Sequence, residues 1–277
     1  MAAKMNELVL GGAGLIGSEL VSALNAKGHR VVSLDLKSGC DLRRPLELGH
    51  FEECDRVWFL AWDTGGDKFL EAEDRQHDQY KNNCELSLRI FDALARTKKP
   101  FMFTTSQLAG LPNAYGTTKL MAWHWAAHLG GKVARLWNVY GWEHPGHRSH
   151  VITDLVLSGL QGKVKCMTNG EEKRLFLYKT DCVDALLALF DGPLQTAEIA
   201  GPAWLKIREV AEEIARQLDV EVALGDAKGS EAPIDPTELL PNWQPQVSLA
   251  EGIANVISDA REYLSQNESA ASASLPE

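Results

Sequence analysis

The sequence predicts an α/β protein in which a doubly wound parallel sheet is followed by a smaller C-terminal α/β lobe. Short apolar runs alternate with segments of helical period through the first half of the 277-residue chain, as is typical of strands buried between two layers of helices. A glycine-rich turn joins the first strand to the first helix. Beyond residue 141 the alternation stops, which indicates a second lobe. The predicted strands of the sheet are 8–10, 30–34, 56–62, 101–106 and 133–137.

The glycine-rich turn points to a dinucleotide. Gly11, Gly14 and Gly17 follow one another at intervals of three, so the turn can close tightly, a diphosphate can approach the backbone and the helix can pack on its strand. A dinucleotide site on a Rossmann-like sheet is one interpretation, and a glycine turn without a ligand is the alternative. Asp35 ends the second strand, where a carboxylate binds ribose hydroxyls and repels a 2′-phosphate. Unless Asp35 is an ordinary loop residue, these features favour NAD over NADP.

Charge, hydropathy and cysteine spacing exclude several classes of binding partner and location. The formal net charge of −10 argues against nucleic acid and anionic membranes as general partners. No apolar run approaches the ~18 residues of a membrane span, and the N-terminus lacks the apolar core of a signal peptide, so we expect a cytoplasmic protein. The five cysteines are scattered, without a Cys-x-x-Cys pair, and we expect reduced thiols and no bound metal. We interpret the His144, His147 and His150 segment as a mobile substrate loop rather than a metal site.

A hydroxyl-tipped strand precedes a Tyr-x-x-x-Lys pattern. Ser106 ends the fourth predicted strand, and Tyr115 and Lys119 lie four residues apart, so on a helix they share one face. An isolated pattern of this kind is most often a solvated helix face. Behind a dinucleotide turn it indicates hydride chemistry instead.

Taken in order, Gly-x-x-Gly-x-x-Gly, Asp35, Ser106, Tyr-x-x-x-Lys and Asn138 resemble the extended short-chain dehydrogenase/reductase superfamily, in its NAD-dependent epimerase/dehydratase branch. The likeness spans about residues 7 to 255. It includes Asn83, the segments 135–141 and 174–181, and two short stretches at 242–245 and 248–252. Leu10 stands where the family usually has threonine, and the loop between Ser106 and Tyr115 is shorter than in most members.

The resemblance implies a set of site residues. The catalytic positions are Ser106, Tyr115 and Lys119. The cofactor positions are Gly11, Gly14, Leu15, Ile16, Gly17, Asp35, Asp41, Leu42, Leu60, Ala61, Trp62, Asn83, Tyr115 and Lys119. The substrate positions are Thr105, Asn138 and Arg174, of which the last two would contact a nucleotide sugar. Strand register favours Ser106 as the catalytic hydroxyl, whereas counting back from Gly110 favours Thr105.

The chemistry that the resemblance implies is a proton transfer coupled to hydride transfer. Free tyrosine is a weak base at neutral pH, and we expect the Lys119 ammonium, with the positive nicotinamide, to lower the pKa of Tyr115. Gln107 and Leu108 follow Ser106, where the family's dehydratases carry an Asp-Glu pair and its decarboxylases a glutamate. We therefore expect a nucleotide-sugar 4-epimerase. A sugar or small-alcohol dehydrogenase or reductase and a non-catalytic nucleotide sensor remain as alternatives.

The expected organisation has three parts. Residues 1–141 form the NAD-binding domain, residues 142–265 mainly a substrate lobe with some segments returning to the first domain, and residues 266–277 a disordered tail. A possible hairpin pairs the strand at 163–167 with 174–178, and Asp181 is expected to cap the next helix. The resemblance also implies a homodimer formed through the helices at 83–94 and 115–129.

Overall fold

The computed structural model describes residues 4–230 and 235–273. The strands are β1 (Asn6–Leu10), β2 (Arg30–Leu34), β3 (Arg56–Phe59), β4 (Phe101–Ser106), β5 (Lys132–Leu136), β6 (Val139–Tyr140), β7 (Lys163–Lys165), β8 (Lys173–Arg174), β9 (Leu177–Tyr178), β10 (Thr196–Ile199), β11 (Leu205–Lys206) and β12 (Glu221–Ala223). The helices are α1 (Leu15–Ala26), α2 (Gly49–Glu53), α3 (Asp67–Leu70), α4 (Gln76–Thr97), α5 (Ala114–His128), α6 (Val151–Leu160), α7 (Lys179–Asp191), α8 (Ile207–Leu218) and α9 (Leu249–Ala273). Leu36–Ser38 and Glu73–Arg75 form single 3-10 turns.

Six parallel strands form the central sheet, in the order β10-β5-β4-β3-β1-β2. The chain starts in the interior of the sheet, moves to β2 on one side and then crosses to β3 on the other. The strand order therefore reverses beside β1, and the crevice at the carboxyl ends of β1 and β3 is where such sheets bind ligands.

Both faces of the central strands β3 and β4 are buried, which explains the apolar runs at 57–59 and 101–103. Leu8 and Leu10 pack with α2, α4 and α5 on one face, and Val9 packs with α1 and α7 on the other. Alternate residues of a strand point to opposite faces, so each strand serves two cores. The predicted α/β doubly wound fold is confirmed.

A third core holds the second lobe together. It joins α6, α8 and α9 with β7 and the aromatic side chains of β6 and β9. Two elements of the second half belong instead to the sheet: α7 covers one face and β10 pairs with β5 at the edge. Among the described residues, no helix combines the length and apolar character needed to cross a membrane.

Two local expectations are wrong. The hairpin does not form, because β7 pairs in parallel with β12, while β8 pairs with β11 and β9 with β6. Asp181 does not cap α7, which begins two residues earlier, at Lys179. Its buried carboxylate instead accepts hydrogen bonds from the backbone N–H groups of Gln246 and Val247, at 3.0 and 2.9 Å.

The expected tail also differs. The last helix continues through Ala273, so residues 266–273 are helical rather than disordered, and residues 274–277 lie outside the described residues. Alanine, glutamate and glutamine favour helix strongly enough to extend a helix already anchored in a core. Gln266 Nε2 also donates to Glu262 Oε1 at 3.0 Å, one turn back.

Candidate active site

The turn between β1 and α1 is packed too closely to carry side chains. Gly11 has a φ of +92°, and a Cβ there would lie 2.5 Å from the backbone nitrogen of Ala61. A Cβ on Gly17 would collide with the carbonyl of Gly11. Among the described side chains, none caps the N-terminus of α1 after Gly14. The first turn of the helix therefore presents backbone N–H groups to a ligand phosphate.

Asp35 fastens this turn to the end of β2. Its carboxylate accepts the N–H of Ala13 at 3.1 Å and that of Lys37 at 2.8 Å, and the residue is 9% exposed. Each carboxylate oxygen keeps a further lone pair for a hydroxyl donor. The glycine cradle and this acceptor together fit a dinucleotide with free ribose hydroxyls.

Four of the remaining predicted cofactor residues lie on elements that adjoin the glycine turn. Leu15 and Ile16 open α1, and the N–H groups of Leu60 and Ala61 both bond the carbonyl of Leu10, at 2.9 and 2.8 Å.

Asp41 and Leu42 have structural partners. Asp41 is bound by Arg43, whose Nε donates at 2.8 Å and whose second nitrogen donates at 2.9 Å, and this hydrogen bonding lowers the pKa of the carboxyl group. Leu42 is buried in the core on the α4 side of the sheet.

Asn83 is fully buried and ties a loop to α5. Its Oδ1 accepts the N–H of Asp63 at 2.9 Å, and its Nδ2 donates to the carbonyl of Asp63 at 3.3 Å and to Thr118 Oγ1 at 3.4 Å. In the structure its side chain therefore positions the segment that follows β3.

Ser106 and Tyr115 come together at the carboxyl end of β4. The hydroxyl of Tyr115 lies beside Ser106 and Thr64, which act on its pKa as hydrogen-bond partners, and Ser106 Oγ accepts the N–H of Leu108 at 3.1 Å. Thr105 is directed elsewhere, since its hydroxyl donates to the carbonyl of Lys119 at 3.4 Å. Of the two candidate hydroxyls, Ser106 is the one beside Tyr115.

Lys119 is buried among aromatic rings. Its Nζ donates to the carbonyl of Thr104 at 2.7 Å and lies 4.2 Å from the ring centre of Trp62 and 4.9 Å from that of Phe103. Cation–π attraction of this kind stabilises the charged form. Burial acts in the opposite direction and lowers the pKa of Lys119 well below its usual value.

The pKa of Tyr115 differs from the sequence expectation. Burial raises it, and the hydrogen bonds from Ser106 and Thr64 oppose that shift. Lys119 was expected to lower this pKa, but its Nζ lies 5.9 Å from the tyrosine ring centre and is bonded to the Thr104 carbonyl. Desolvation of the phenol therefore dominates in this structure.

The predicted substrate residues lie on two elements. Asn138 follows β5, and its Oδ1 accepts Nε2 of Gln107 at 3.0 Å. Arg174 lies on β8 in the second lobe, where it donates to Ser230 Oγ at 2.6 Å and lies 3.9 Å from Asp67 Oδ2. Its guanidinium thus already faces an acidic group on the helix after β3.

A covering segment at residues 63–70 was only partly foreseen. The sequence suggests that the loop after β3 touches cofactor or substrate, but it gives no sign of what closes it. Arg148 does so: it donates to Asp63 at 2.7 Å, and its guanidinium lies 4.0 Å from the ring centre of Phe69. Thr64 and Phe69 in turn cover Tyr115, which is 8% exposed.

The histidines near Arg148 have separate partners. His150 pairs with Glu143 at 2.9 Å, whereas His144 and His147 lie beside aromatic rings. In the described part of the chain, no group of three or more His, Cys, Asp or Glu side chains is arranged to hold a metal ion.

The sheet, the glycine turn with its acidic partner and the Tyr-x-x-x-Lys helix define an enzyme of the extended short-chain dehydrogenase/reductase type. The model of the NAD dependent epimerase/dehydratase family matches residues 7–198, and the chain belongs to that family. The cofactor of the family is NAD, which the cradle described above fits.

The proteins similar to this chain include enzymes that are named for different reactions. The chain is 24% identical to UDP-glucuronic acid decarboxylase 1 of Arabidopsis thaliana over 93% of this chain and 70% of the relative. It is 28% identical to a UDP-glucose 4-epimerase of Mycolicibacterium smegmatis over 91% of this chain and 97% of the relative. The solved structure of the epimerase Mth375 from Methanothermobacter thermautotrophicus superposes with a TM-score of 0.81 at 20% identity, covering 95% of this chain and 94% of that one. The superposition supports the fold.

Proposed function

We propose that the protein is an NAD-dependent nucleotide-sugar epimerase that inverts C4 through a transient 4-keto sugar. The observation that carries the proposal is the cluster of Ser106, Tyr115 and Lys119 at the carboxyl edge of the sheet. Gln107 and Leu108, which follow Ser106, are uncharged. The cluster thus contains the side chains that a reversible oxidation of a sugar hydroxyl needs. Elimination or decarboxylation would need an additional acidic or basic side chain. The named 4-epimerase among the relatives supports this outcome.

In this proposal Tyr115 moves the proton. Its phenolic oxygen would take the proton of the C4 hydroxyl while the C4–H bond breaks. The glycine turn and Asp35 would hold NAD, which would supply the acceptor for the hydride. Ser106 donates a hydrogen bond to the carbonyl oxygen that forms at C4. After the 4-keto sugar has turned, Tyr115 returns the proton and C4 recovers its hydrogen on the opposite face. Lys119 Nζ is bonded to the Thr104 carbonyl and lies 5.9 Å from the tyrosine ring centre, so it would have to give up that bond before it could favour the ionised tyrosine.

The substrate side of the proposal uses Asn138 and Arg174. A guanidinium matches two phosphate oxygens, so Arg174 would exchange the carboxylate of Asp67 for the diphosphate of the substrate. Asn138 would contact the sugar together with its partner Gln107. Both relatives described above are named for UDP-linked sugars, which supports this class of substrate.

The test is a panel of UDP-, dTDP- and GDP-sugars with added NAD, with products separated by chromatography and identified by NMR. We expect a C4 epimer to form without accumulation of NADH. Tyr115→Phe should lower kcat by roughly 10²- to 10⁴-fold, because it removes the proton acceptor. Products that are all dehydrated, decarboxylated or reduced would contradict the proposal.

The second candidate is an NAD-dependent sugar or small-alcohol dehydrogenase. The short connection between Ser106 and Tyr115 favours it, because it leaves less chain to enclose a large substrate. Stoichiometric NADH released during turnover in the same panel would identify this activity instead.

We also infer a homodimer in the cytoplasm. The outer faces of α4 and α5 expose Tyr80 at 38%, Leu88 at 54% and Met121 at 37%. The two helices pack side by side, with Tyr80 Oη 3.3 Å from Thr117 Oγ1. An apolar strip of this kind on a helix pair suits a four-helix interface between two copies. The compartment rests on composition alone.

A further inference from the structure

Gln107 holds a fixed position beside the reactive hydroxyl. It directly follows Ser106, its N–H donates to the carbonyl of Leu136 at 2.9 Å, and its own carbonyl accepts from Arg135 at 3.2 Å. The backbone is therefore held on both sides by β5. The side chain starts from the carboxyl end of the central strand, where the ligands of such sheets bind.

The side-chain amide of Gln107 is incompletely paired. The residue is 7% exposed, and its Nε2 donates to Asn138 Oδ1 at 3.0 Å. Its Oε1 is buried and has no hydrogen-bond partner among the described residues. A buried acceptor without a donor is unfavourable, so this atom is a place where a ligand donor gains free energy on binding.

The charges nearby show which ligands suit this acceptor. The guanidinium of Arg135, which donates to the carbonyl of Gln107, is bonded to Glu198 at 3.0 Å, and the side chain of Glu198 is 5% exposed. The charge of Arg135 is thus already balanced. A carboxylate brought against Gln107 Oε1 would meet a partial negative charge, and Arg135 is not free to offset it.

We propose that Gln107, held by Asn138, determines sugar specificity by accepting a hydrogen bond from an uncharged donor near the reacting carbon, a hydroxyl or an acylamino N–H. The proposal rests on the nucleotide-sugar function above and deepens it. With Gln107 Nε2 donating to Asn138 Oδ1, the pair is neutral and Oε1 is the acceptor left without a partner among the described residues. That acceptor selects a neutral hexose or acylamino hexose over a uronic acid. This preference separates the chain from the relatives named as glucuronic acid decarboxylases.

The test compares binding with turnover. Affinities of UDP, dTDP and GDP, of the matching hexose and N-acetylhexosamine conjugates and of UDP-glucuronic acid are measured by calorimetry on the NAD-loaded protein. We expect at least one neutral sugar nucleotide to bind more than tenfold more tightly than UDP-glucuronic acid. Gln107→Met, which keeps the length but removes the acceptor, should lower the affinity for that sugar nucleotide roughly 10-fold and leave the affinity for the free nucleotide unchanged.

Gln161→Met is the matched control, because Gln161 is exposed at the end of α6. Gln107→Glu should lose affinity for the neutral sugar as well. The proposal is overturned if UDP-glucuronic acid binds as tightly as the hexoses, if no sugar nucleotide binds better than its nucleotide, or if Gln107→Met affects sugar and free nucleotide equally. If the predicted binding preference is found without epimerisation in the panel, the 4-epimerase function fails and the specificity assignment stands.

Discussion

Lys119 carries its amino group into a region with almost no water. The residue is 4% exposed, with one carbonyl acceptor on Thr104 and the indole of Trp62 above it. A buried cation lowers the stability of a fold unless it is fully compensated. We infer that this lysine is kept for its chemistry and at some expense to stability.

Lys119→Met should therefore raise the stability of the fold while lowering activity. The folded-state pKa of Lys119 is depressed, so the unfolded chain binds more protons and the wild type loses stability as pH falls from about 10.5 through that depressed pKa. The gain on substitution is expected to be about 0.5–2 kcal/mol at low pH and to vanish above pH ~10.5. Urea unfolding of both proteins between pH 6 and 10 measures it. A gain that is the same at every pH would show that packing, not charge, is responsible.

Glu7 is a second buried charge, at the opposite edge of the sheet. Its carboxylate accepts Nε of Arg56 and Nε1 of Trp58, each at 2.8 Å, and the residue is 1% exposed. Glu7→Ala should destabilise the fold by about 2–4 kcal/mol, because it removes the buried acceptor of Arg56 and Trp58 and leaves Arg56 with Asp191 as its carboxylate partner. Glu221→Ala is the control, since Glu221 is exposed and lies 3.6 Å from Lys163. Chemical denaturation should show a change of less than about 1 kcal/mol for the control.

At the scale of elements, the covering segment at residues 63–70 is tied to the second lobe by the side chain of Arg148, by the N–H of Gly66 on the Arg148 carbonyl and by the pair of Lys68 with Asp154. Arg148 bonds Asp63 and the carbonyl of Thr64, and it stacks on Phe69. Arg148→Met should speed amide exchange in residues 63–70 and alter KM, with a global stability change of about 1 kcal/mol or less. Arg96→Met, which removes an exposed pair with Asp92, is the control. Unchanged exchange in the segment would show that Arg148 does not hold it.

Elements with a strong local pattern could be predicted from the sequence. The helix Ile207–Leu218 is one example, because Val210, Ile214 and Leu218 repeat at helical spacing. β3 ends at Phe59 rather than residue 62 because Leu60 and Ala61 share one acceptor, so the chain leaves the ladder.

The pairing of the short strands could not be predicted. β7 finds β12 across a long stretch of chain, and two- or three-residue strands carry too little pattern to specify a partner.

In the candidate site, too, some features could be predicted from the sequence and others could not. The strand end at Ser106 and the four-residue spacing of Tyr115 and Lys119 predict that the three residues lie near one another, and their catalytic roles stay a prediction. The bond between Gln107 and Asn138 was not visible, because it joins the ends of two strands through side chains whose directions depend on the loops beyond them. Trp62 gave a weak signal, a large aromatic residue directly after Ala61, but only the packing shows it above Lys119.

At the scale of the whole molecule, the exposed strip on α4 and α5 predicts assembly. Leu88→Glu should convert a dimer to a monomer, because it places a charge in an apolar interface. Leu224→Glu is the control, since Leu224 is 39% exposed in the other lobe. Light scattering over a range of concentrations distinguishes the two species. A wild type that is monomeric at every concentration would contradict the proposed interface.

A strand from the second half of the chain completes the central sheet, and this affects the order in which the protein can fold during synthesis. β10 supplies the edge strand beside β5, and Glu198 on it accepts the N–H of Glu238, while Asp181 holds residues 246 and 247. During synthesis on a ribosome, the edge of β5 therefore stays unpaired until β10, at Thr196–Ile199, has been made. A nascent chain stopped at residue 141 would present β5 as an open edge, the part of a sheet that other chains most readily join. Folding of the NAD-binding lobe thus requires segments that are translated late as well as the first 141 residues.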